Sequence, residues 1–265
     1  MQHFIVIGNP INHSKSPQIH HAFAESVGLD ICYQRQFCPD NKDSFEAVVQ
    51  AFFAGGGVGA NVTLPFKETA HQLCHSTGAL SDDAKMAGAV NTLMVRDGKL
   101  YGDNTDGRGL VSDLLSQGID LTNKKIAILG AGGATRGAIL PLLHQGAHLA
   151  IYNRTLAKAE QLVQDFNHPN LSAHSLDELQ QDTHFDVIIN ATSATTTGQS
   201  MDFGRITADF AYDMMYGKPS AFLAHFANQG AGTSDGFGML IHQAKLAFEL
   251  WTGATVDLSA VAIAP

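Results

Sequence analysis

Short apolar runs, each ended by glycine, proline or polar residues, recur along the first part of the chain. Residues 4–7 predict a buried strand, since they are uniformly apolar and Gly8-Asn9-Pro10 follows them. Pro17 then opens a predicted helix that reaches about Val27. Residues 31–37 and 59–63 predict strands and 42–54 a helix. The pattern predicts alternating strands and helices over the first ~100 residues.

The same alternation returns in the second half. A helix over 106–117 is predicted to connect the halves, and the apolar residues 125–129 predict a strand that runs directly into Gly130-Ala131-Gly132-Gly133. Further strands are predicted at 148–152, 186–190 and 210–213, and helices at 155–166 and 219–229. The fold class is therefore predicted as α/β with two domains, the second a doubly wound parallel sheet.

The closing stretch, residues 238–251, has apolar residues at amphipathic helical spacing. They are Leu240, Ile241, Ala244, Ala247, Phe248 and Trp251. Such a helix must bury its apolar side, and we expect it to pack on the first domain. The predicted domains are residues 1–105, completed by 238–265, and residues 106–237.

Charge and cysteine content narrow the class of protein. The 265 residues carry a formal net charge of −9, which argues against nucleic acid or an anionic membrane as a partner. Cys32, Cys38 and Cys74 are odd in number and form no CxxC pair, which favours a reducing compartment. The first residues lack the pattern of a signal peptide or a membrane span. We expect a soluble cytoplasmic protein, either a monomer or a homodimer.

The glycine turn after residue 129 is typical of a dinucleotide site. The turn leads into a helix, so that main-chain N–H groups and the positive helix end can bind a pyrophosphate. Because Thr135 replaces the third glycine of GxGxxG, the turn alone is weak support and could be only a tight turn. The candidate residues in it are Gly130, Ala131, Gly132, Gly133 and Ala134.

The end of the next predicted strand favours NADP over NAD. NAD-binding domains carry an acidic residue there for the ribose hydroxyl, whereas this chain has Asn153-Arg154-Thr155. A guanidinium in place of a carboxylate suits a 2′-phosphate. Lys158 adds a second cation or is only a solvated surface residue. Thr192 and Ser193 either line the same crevice or cap a strand.

Three polar clusters suggest a site for a hydroxylated acid: Ser14-Lys15-Ser16-Pro17, residues 61–67 and Asn104-Thr105-Asp106. They combine hydroxyls and amides with an amine and a carboxylate that could transfer a proton. Taken singly, Ser16 and Asp106 could be helix caps and Asn61 a turn residue. The residues by themselves leave both interpretations open.

Longer stretches make the chain resemble the shikimate dehydrogenase family over nearly its full length. They match in order and spacing, and are residues 8–17, 61–67, 88–92, 103–106, 130–134, 153–155, 190–193, 212–216 and 235–238. The resemblance implies a substrate-binding and catalytic first domain and an NADP-binding Rossmann domain. It also implies reversible reduction of 3-dehydroshikimate to shikimate with NADPH, on the route to chorismate and the aromatic amino acids.

The resemblance further implies residue roles, which the residues alone do not give. Lys67 and Asp106 match the catalytic pair, and we expect the lysine to carry the proton. Three residues match positions at or beside the nicotinamide end of the cofactor: Asp82, Met214 and Gly236. The substrate-binding positions matched are Ser14, Ser16, Thr63, Asn91, Asp106, Tyr216 and Gln243.

Three rival interpretations are weaker. An NAD-dependent quinate/shikimate dehydrogenase would more typically carry threonine at position 16 and a carboxylate near 153–155. A metal enzyme is suggested only by His71 and His75 at i,i+4 spacing, with no HExxH glutamate. A non-catalytic dinucleotide-binding regulator would have no reason to keep Lys67 with Asp106.

Overall fold

The chain divides into two compact units. A computed structural model describes residues 1–181, 183–192 and 202–263. The first unit is Met1–Gly109 with Ile241–Pro265, and the second is Leu110–Leu240. Within the described residues, no helix has the length and apolar character needed to cross a membrane.

The first half of the chain forms six strands and five helices among the described residues. In chain order they are β1 (Gln2–Gly8), α1 (Ser16–Ser26), β2 (Ile31–Phe37), α2 (Lys42–Ala54), β3 (Gly59–Val62), α3 (Lys67–Thr77), β4 (Ala79–Leu80), α4 (Asp82–Ala87), β5 (Thr92–Arg96), β6 (Lys99–Asp103) and α5 (Asp106–Ser116). The strands make one sheet in the order β2-β1-β3-β5-β6-β4. The predicted elements up to β3 are present, with ends shifted by a residue or two.

The expectation of strand–helix alternation over the whole first half is wrong at residues 92–103. There β5 and β6 form an antiparallel hairpin, and β5 also pairs antiparallel with β3. Asp97 and Gly98 make the turn with φ of 52° and 72°. Positive φ at both central turn residues matches the right-handed twist of paired strands, which is why Asp-Gly favours a hairpin. The first sheet is therefore mixed rather than parallel.

The second half of the chain builds a fully parallel sheet. Its elements are β7 (Lys125–Leu129), α6 (Gly133–His144), β8 (His148–Asn153), α7 (Leu156–Phe166), β9 (Leu171–Ser175), β10 (His184–Asn190), β11 (Thr207–Asp213), α8 (Ala221–Asn228), β12 (Gly232–Asp235) and α9 (Phe237–Thr252). The strand order β12-β11-β10-β7-β8-β9 is that of a doubly wound sheet, with its switch point between β7 and β10. The predicted fold class is confirmed.

The central strand β7 shows why apolar runs identify this sheet. Ile126 and Ile128 belong to one buried cluster, and Ala127 and Leu129 belong to another on the opposite face. A strand covered on both faces needs consecutive apolar residues, because neither face meets water.

Helix α9 leaves the second unit and ends in the first. Its residue Trp251 donates a hydrogen bond from Nε1 to the backbone oxygen of Leu93 at 3.1 Å, and its ring lies 5.2 Å from that of Phe4. Phe248 on the same helix is fully buried. The closing helix thus completes the core of the first unit.

Candidate active site

Lys67 and Asp106 form an ion pair in the first unit. Lys67 is the first residue of α3 and Asp106 the first of α5, and Lys67 Nζ donates to Asp106 Oδ2 at 2.7 Å. The side chains are 29% and 25% exposed, so both remain accessible from solvent. A carboxylate in the first turn of a helix is favoured by the helix dipole. The pair therefore places an amine next to a carboxylate.

Asn91 fixes the second oxygen of that carboxylate. Its Nδ2 donates to Asp106 Oδ1 at 2.8 Å and to Thr105 Oγ1 at 3.0 Å. Its Oδ1 accepts from the backbone N–H of Thr105 at 2.9 Å. Gln243 Oε1 lies 3.4 Å from Asn91 Nδ2. Asn91, Thr105 and Gln243 are all buried, so the orientation of Asp106 is set by side chains with little freedom.

Ser14 and Ser16 meet at the start of α1. The Ser14 hydroxyl donates to the Ser16 hydroxyl at 3.2 Å and accepts from the Ser16 backbone N–H at 3.3 Å. Ser16 is the first residue of α1 and is buried, as is Tyr33 on β2. The Tyr33 hydroxyl donates to Asn61 Oδ1 at 2.7 Å, and Asn61 Nδ2 donates to the backbone oxygen of Asn91 at 3.1 Å. A chain of polar contacts thus connects Tyr33 with the Lys67–Asp106 pair.

Thr63 follows the carboxyl end of β3 and is half-buried. Its backbone N–H donates to the Ile7 oxygen at 2.9 Å. A Cβ at Gly8 would come within 2.5 Å of the Thr63 methyl group, so the close approach of these two strand ends requires glycine.

His20 on α1 lies next to this chain of contacts, and its imidazole is fully buried. The ring stacks on Tyr33 at a centroid distance of 4.4 Å and on Trp251 at 5.4 Å. Burial lowers the pKa of His20 from 6.5 to about 3, because the charged form loses its hydration, and an interaction with Asn61 opposes this only in part. The folded protein therefore holds a neutral imidazole at pH 7.

We expect the His20→Phe variant to be less sensitive to acid than the wild-type protein. Unfolded His20 takes up a proton below pH 6.5, whereas folded His20 does so only near pH 3. Keeping His20 neutral therefore favours the folded protein fully above pH 6.5, and this contribution to the free energy of unfolding is lost as the pH falls towards 3. Between pH 7.5 and 5, the wild-type free energy of unfolding should fall by about 2 kcal/mol more than that of the variant, as urea unfolding will measure.

His144→Gln is the control for that experiment, because His144 is an exposed histidine at the end of α6. It should keep the wild-type dependence on pH. An equal loss of stability in His20→Phe and wild type would show that His20 is not held neutral by burial.

In the second unit, the residues predicted to bind the cofactor follow the carboxyl ends of adjacent parallel strands. Leu129 pairs with Tyr152 and with Asn190, and Asn190 pairs with Asp213. The residues that directly follow these paired positions are Gly130, Asn153, Ala191 and Met214. Three of them are predicted cofactor residues, and Ala191 directly precedes the fourth, Thr192. Ligands of doubly wound sheets bind at this edge, near the switch point.

The glycine turn fits a pyrophosphate. Gly130 has φ of 105°, a backbone conformation that other residues rarely adopt, and Thr135 Oγ1 donates to its oxygen at 2.8 Å. Gly132 and Gly133 are exposed at the start of α6, and a Cβ on either would meet no atom within 4 Å. The first-turn N–H groups of a helix have no partner inside it, so this open surface can accept an anionic group. Ala131 and Ala134 complete the turn.

Asn153, Arg154 and Thr155 link β8 to α7. Asn153 is half-buried and donates from Nδ2 to the Thr155 oxygen at 2.8 Å, which shapes the turn. Arg154 and Lys158 are exposed, and within residues 1–181, 183–192 and 202–263 neither enters an ion pair. Two cations at the end of the second parallel strand suit the phosphate of NADP.

Thr192, Met214 and Gly236 surround the carboxyl ends of β10 and β11. Thr192 Oγ1 donates to Asn190 Oδ1 at 2.7 Å, and the Met214 N–H donates to the Asn190 oxygen at 3.0 Å. A Cβ at Gly236 would lie 2.1 Å from the Met214 oxygen, so only glycine allows this packing. Ser193 lies outside the described residues.

Two predicted residues belong to a different unit from the other residues that the resemblance assigned to the same role. Tyr216 belongs to the second unit, where its ring packs 5.9 Å from that of Phe237, whereas the other predicted substrate residues belong to the first. Burial raises the pKa of Tyr216, and the negative charge of Asp235 adds a smaller increase. Asp82 belongs to the first unit and pairs with Lys85 at 3.0 Å.

Sequence reasoning missed Arg35, which binds the Ser14 carbonyl, Tyr33, which binds Asn61, and His20, which stacks on Tyr33. Tyr33 and Arg35 belong to no motif, and their only signal was an aromatic residue and a cation at alternate positions of β2. His71 and His75 stack on α3 with ring centroids 6.2 Å apart. Across the part of the chain that the structure describes, no group of three or more histidine, cysteine or acidic residues is arranged to hold a metal.

A doubly wound sheet with a glycine turn in one unit, and a lysine–carboxylate pair among buried amides in the other, define a dinucleotide-dependent oxidoreductase. Comparison with known proteins makes this specific. Residues 6–93 match the shikimate dehydrogenase substrate binding domain, residues 112–200 the shikimate / quinate 5-dehydrogenase domain, and residues 236–262 the shikimate 5′-dehydrogenase C-terminal domain. The chain belongs to the shikimate dehydrogenase family.

Individual relatives agree. A shikimate dehydrogenase (NADP(+)) of Psychrobacter cryohalolentis is 50% identical, with 97% of this chain and 96% of that protein aligned. One from Acinetobacter baumannii is 49% identical over 96% and 97% of the two chains. Among solved structures, shikimate 5-dehydrogenase of Thermus thermophilus in complex with NADP(H) and shikimate has a TM-score of 0.84 at 31% identity, covering 98% and 97% of the chains. An Ael1 enzyme from Pseudomonas putida has a TM-score of 0.91 at 38% identity, covering 98% and 96%.

Proposed function

We propose that this protein catalyses the reversible, NADPH-dependent reduction of 3-dehydroshikimate to shikimate. The observation that carries the proposal is the Lys67–Asp106 ion pair, 2.7 Å long and accessible to solvent, in a chain of the shikimate dehydrogenase family. The product would lie on the route to chorismate and the aromatic amino acids. A non-catalytic binding protein would gain nothing from such a pair.

Lys67 is the proton donor in this mechanism. Bound NADPH supplies the hydride that reduces the ketone carbon. As negative charge develops on the ketone oxygen, the Lys67 ammonium stabilises it and transfers a proton to it, which yields the alcohol. In the reverse direction the Lys67 amine takes the proton from the substrate hydroxyl. Asp106 keeps the lysine in place and accepts a hydrogen bond from a substrate hydroxyl.

The remaining polar residues of the first unit bind and orient the substrate. Ser14 and Ser16 present two hydroxyls at the positive end of α1, which suits the substrate carboxylate. Thr63, Asn91 and Gln243 offer one hydroxyl and two amides for the ring hydroxyls. Tyr216 is assigned to the substrate on the family resemblance alone.

The second unit binds NADP(H). The glycine turn from Gly130 to Ala134 would hold the pyrophosphate, and Asn153, Arg154, Thr155 and Lys158 the adenosine 2′-phosphate. Thr192, Met214 and Gly236 would line the nicotinamide side, and Asp82 is assigned to the cofactor on the family resemblance alone. The open main chain at Gly132 and Gly133 supports this assignment.

The protein is proposed to act in the cytoplasm, as a monomer or a homodimer. Support for the location comes from Cys32, Cys38 and Cys74, which are free thiols, as expected in a reducing compartment.

The test is to incubate purified protein with shikimate or quinate, each with NADP or NAD, and to follow the reduced nicotinamide by its near-ultraviolet absorbance. We expect fast turnover only with shikimate and NADP. Turnover with quinate or NAD at a similar rate would place the protein with the quinate/shikimate dehydrogenases instead. Folded protein that is inactive in all four assays would support a non-catalytic role.

A further inference from the structure

The segment that carries Ser14 and Ser16 is held by a cation from a neighbouring strand. Arg35, an exposed residue of β2, donates from Nε at 2.9 Å and from Nη2 at 2.6 Å to the same acceptor, the backbone oxygen of Ser14. Nη2 also lies 3.4 Å from Gln18 Oε1. The two shortest hydrogen bonds of this guanidinium therefore end on one carbonyl.

The Ser14 carbonyl belongs to the segment that positions the hydroxyls of both Ser14 and Ser16. The Ser14 N–H donates to the Ile11 oxygen at 3.1 Å, and the Ser14 hydroxyl meets both the N–H and the hydroxyl of Ser16. A shift of the Ser14 peptide would move the two hydroxyls together. Arg35 fixes the carbonyl of this peptide segment from the side of β2.

A second side chain of the same strand belongs to the polar network that reaches the Lys67–Asp106 pair. Tyr33 lies two residues before Arg35, so both side chains point to the same face of β2. Tyr33 is buried and donates from its hydroxyl to Asn61 Oδ1 at 2.7 Å, whereas Arg35 is exposed and binds the Ser14 carbonyl. Strand β2 thus contributes a buried phenol to the polar network at Asn61 and an exposed guanidinium to the Ser14 carbonyl.

We infer that Arg35 is a positioning residue, which sets the affinity for the substrate carboxylate by holding Ser14 and Ser16 in place. The planar fork of arginine can place two N–H groups on one oxygen, whereas a lysine ammonium lacks that rigid geometry. Its positive charge further favours an anionic ligand in a protein of net charge −9. This inference rests on the proposed function.

The test compares Arg35→Met, Arg35→Lys and wild type in shikimate oxidation by NADP. We expect Arg35→Met to raise the KM for shikimate about tenfold, the loss that one charge-assisted hydrogen bond produces. Its kcat and its KM for NADP should stay within about twofold, because neither the proton donor nor the cofactor site is touched. Arg35→Lys keeps the charge but loses the fork, so its KM for shikimate should rise nearly as much.

Arg96→Met is the matched control, since it removes the same side chain and the same charge from the same unit. Arg96 is exposed on β5, with its guanidinium 4.0 Å from the ring centroid of Tyr101. Its KM for shikimate should remain at the wild-type value. A comparable rise in this variant would show that net charge, not the contact with Ser14, is responsible.

A double-mutant cycle with Ser14→Ala checks that Arg35 acts through the serines. If it does, Arg35→Met should raise KM by less in the Ser14→Ala background than in wild type. Additive effects, or a wild-type KM in either Arg35 variant, would overturn the inference while leaving the proposed function intact. If the wild-type protein did not oxidise shikimate, both the inference and the proposed function would be wrong.

Discussion

Lys67→Met should lower kcat for shikimate oxidation by about 10²- to 10⁴-fold, the usual contribution of a positioned acid or base. Methionine keeps an unbranched side chain of similar length but has no amine, so the hydroxyl proton loses its acceptor. The affinity for NADP should change by less than about twofold, because the glycine turn and Arg154 belong to the other unit. Steady-state rates give the first quantity and fluorescence titration with NADP the second.

Two further variants test whether Lys67 acts together with Asp106. Lys42→Met removes an exposed lysine that pairs with Glu46 at 3.6 Å on α2, and it should retain full activity. Asp106→Asn should also lose activity, and adding it to Lys67→Met should cost little more, as is found for residues that act as a unit. A Lys67→Met enzyme with more than a third of the wild-type kcat would remove Lys67 from the mechanism.

The second sheet could be predicted from its sequence because its inner strands are covered on both faces. Residues 126–129 and 187–189 are wholly apolar and buried, and such runs are a direct consequence of parallel packing. The edge strands β9 and β12 were missed for the opposite reason. Their sequences, LSAHS and GTSD, are largely polar because most of their side chains remain partly exposed to solvent.

The hairpin of β5 and β6 was missed although its turn carries a signal. Asp97-Gly98 is a strong hairpin dipeptide, but the flanking strands are only five residues each and are partly exposed. Their apolar pattern is therefore too short to distinguish a strand from a loop. Expecting alternation to continue led to the wrong topology there.

The candidate site shows a different limit of sequence reasoning. Asn91 contacts Gln243, which lies 152 residues further along the chain, and no local pattern connects two such positions. Asp106 begins α5, and its position in the sequence would be the same if it served only to cap that helix. The family resemblance supplied these residues together, whereas the neighbours that support them, Tyr33 and Arg35, needed the structure.

Arg154→Gln should weaken NADP binding by about 10- to 100-fold, which corresponds to a charge-assisted hydrogen bond of about 1.5–3 kcal/mol. NAD differs from NADP only in lacking the 2′-phosphate. Its dissociation constant should therefore change by less than about twofold, and comparing the two ligands by titration isolates the contact with the phosphate. The effect on NADP should also shrink as salt concentration rises, because Arg154 is exposed.

Lys125→Gln is the control for charge, because Lys125 is an exposed cation at the amino end of β7, away from the carboxyl edge where the turn lies. It should bind both cofactors as wild type does. Lys158→Gln decides between the two interpretations of that residue: a selective loss of NADP affinity would add Lys158 to the phosphate site, and no change would make it a solvated surface residue. Equal losses of NADP and NAD affinity in Arg154→Gln would show that Arg154 shapes the turn after β8 without recognising the 2′-phosphate.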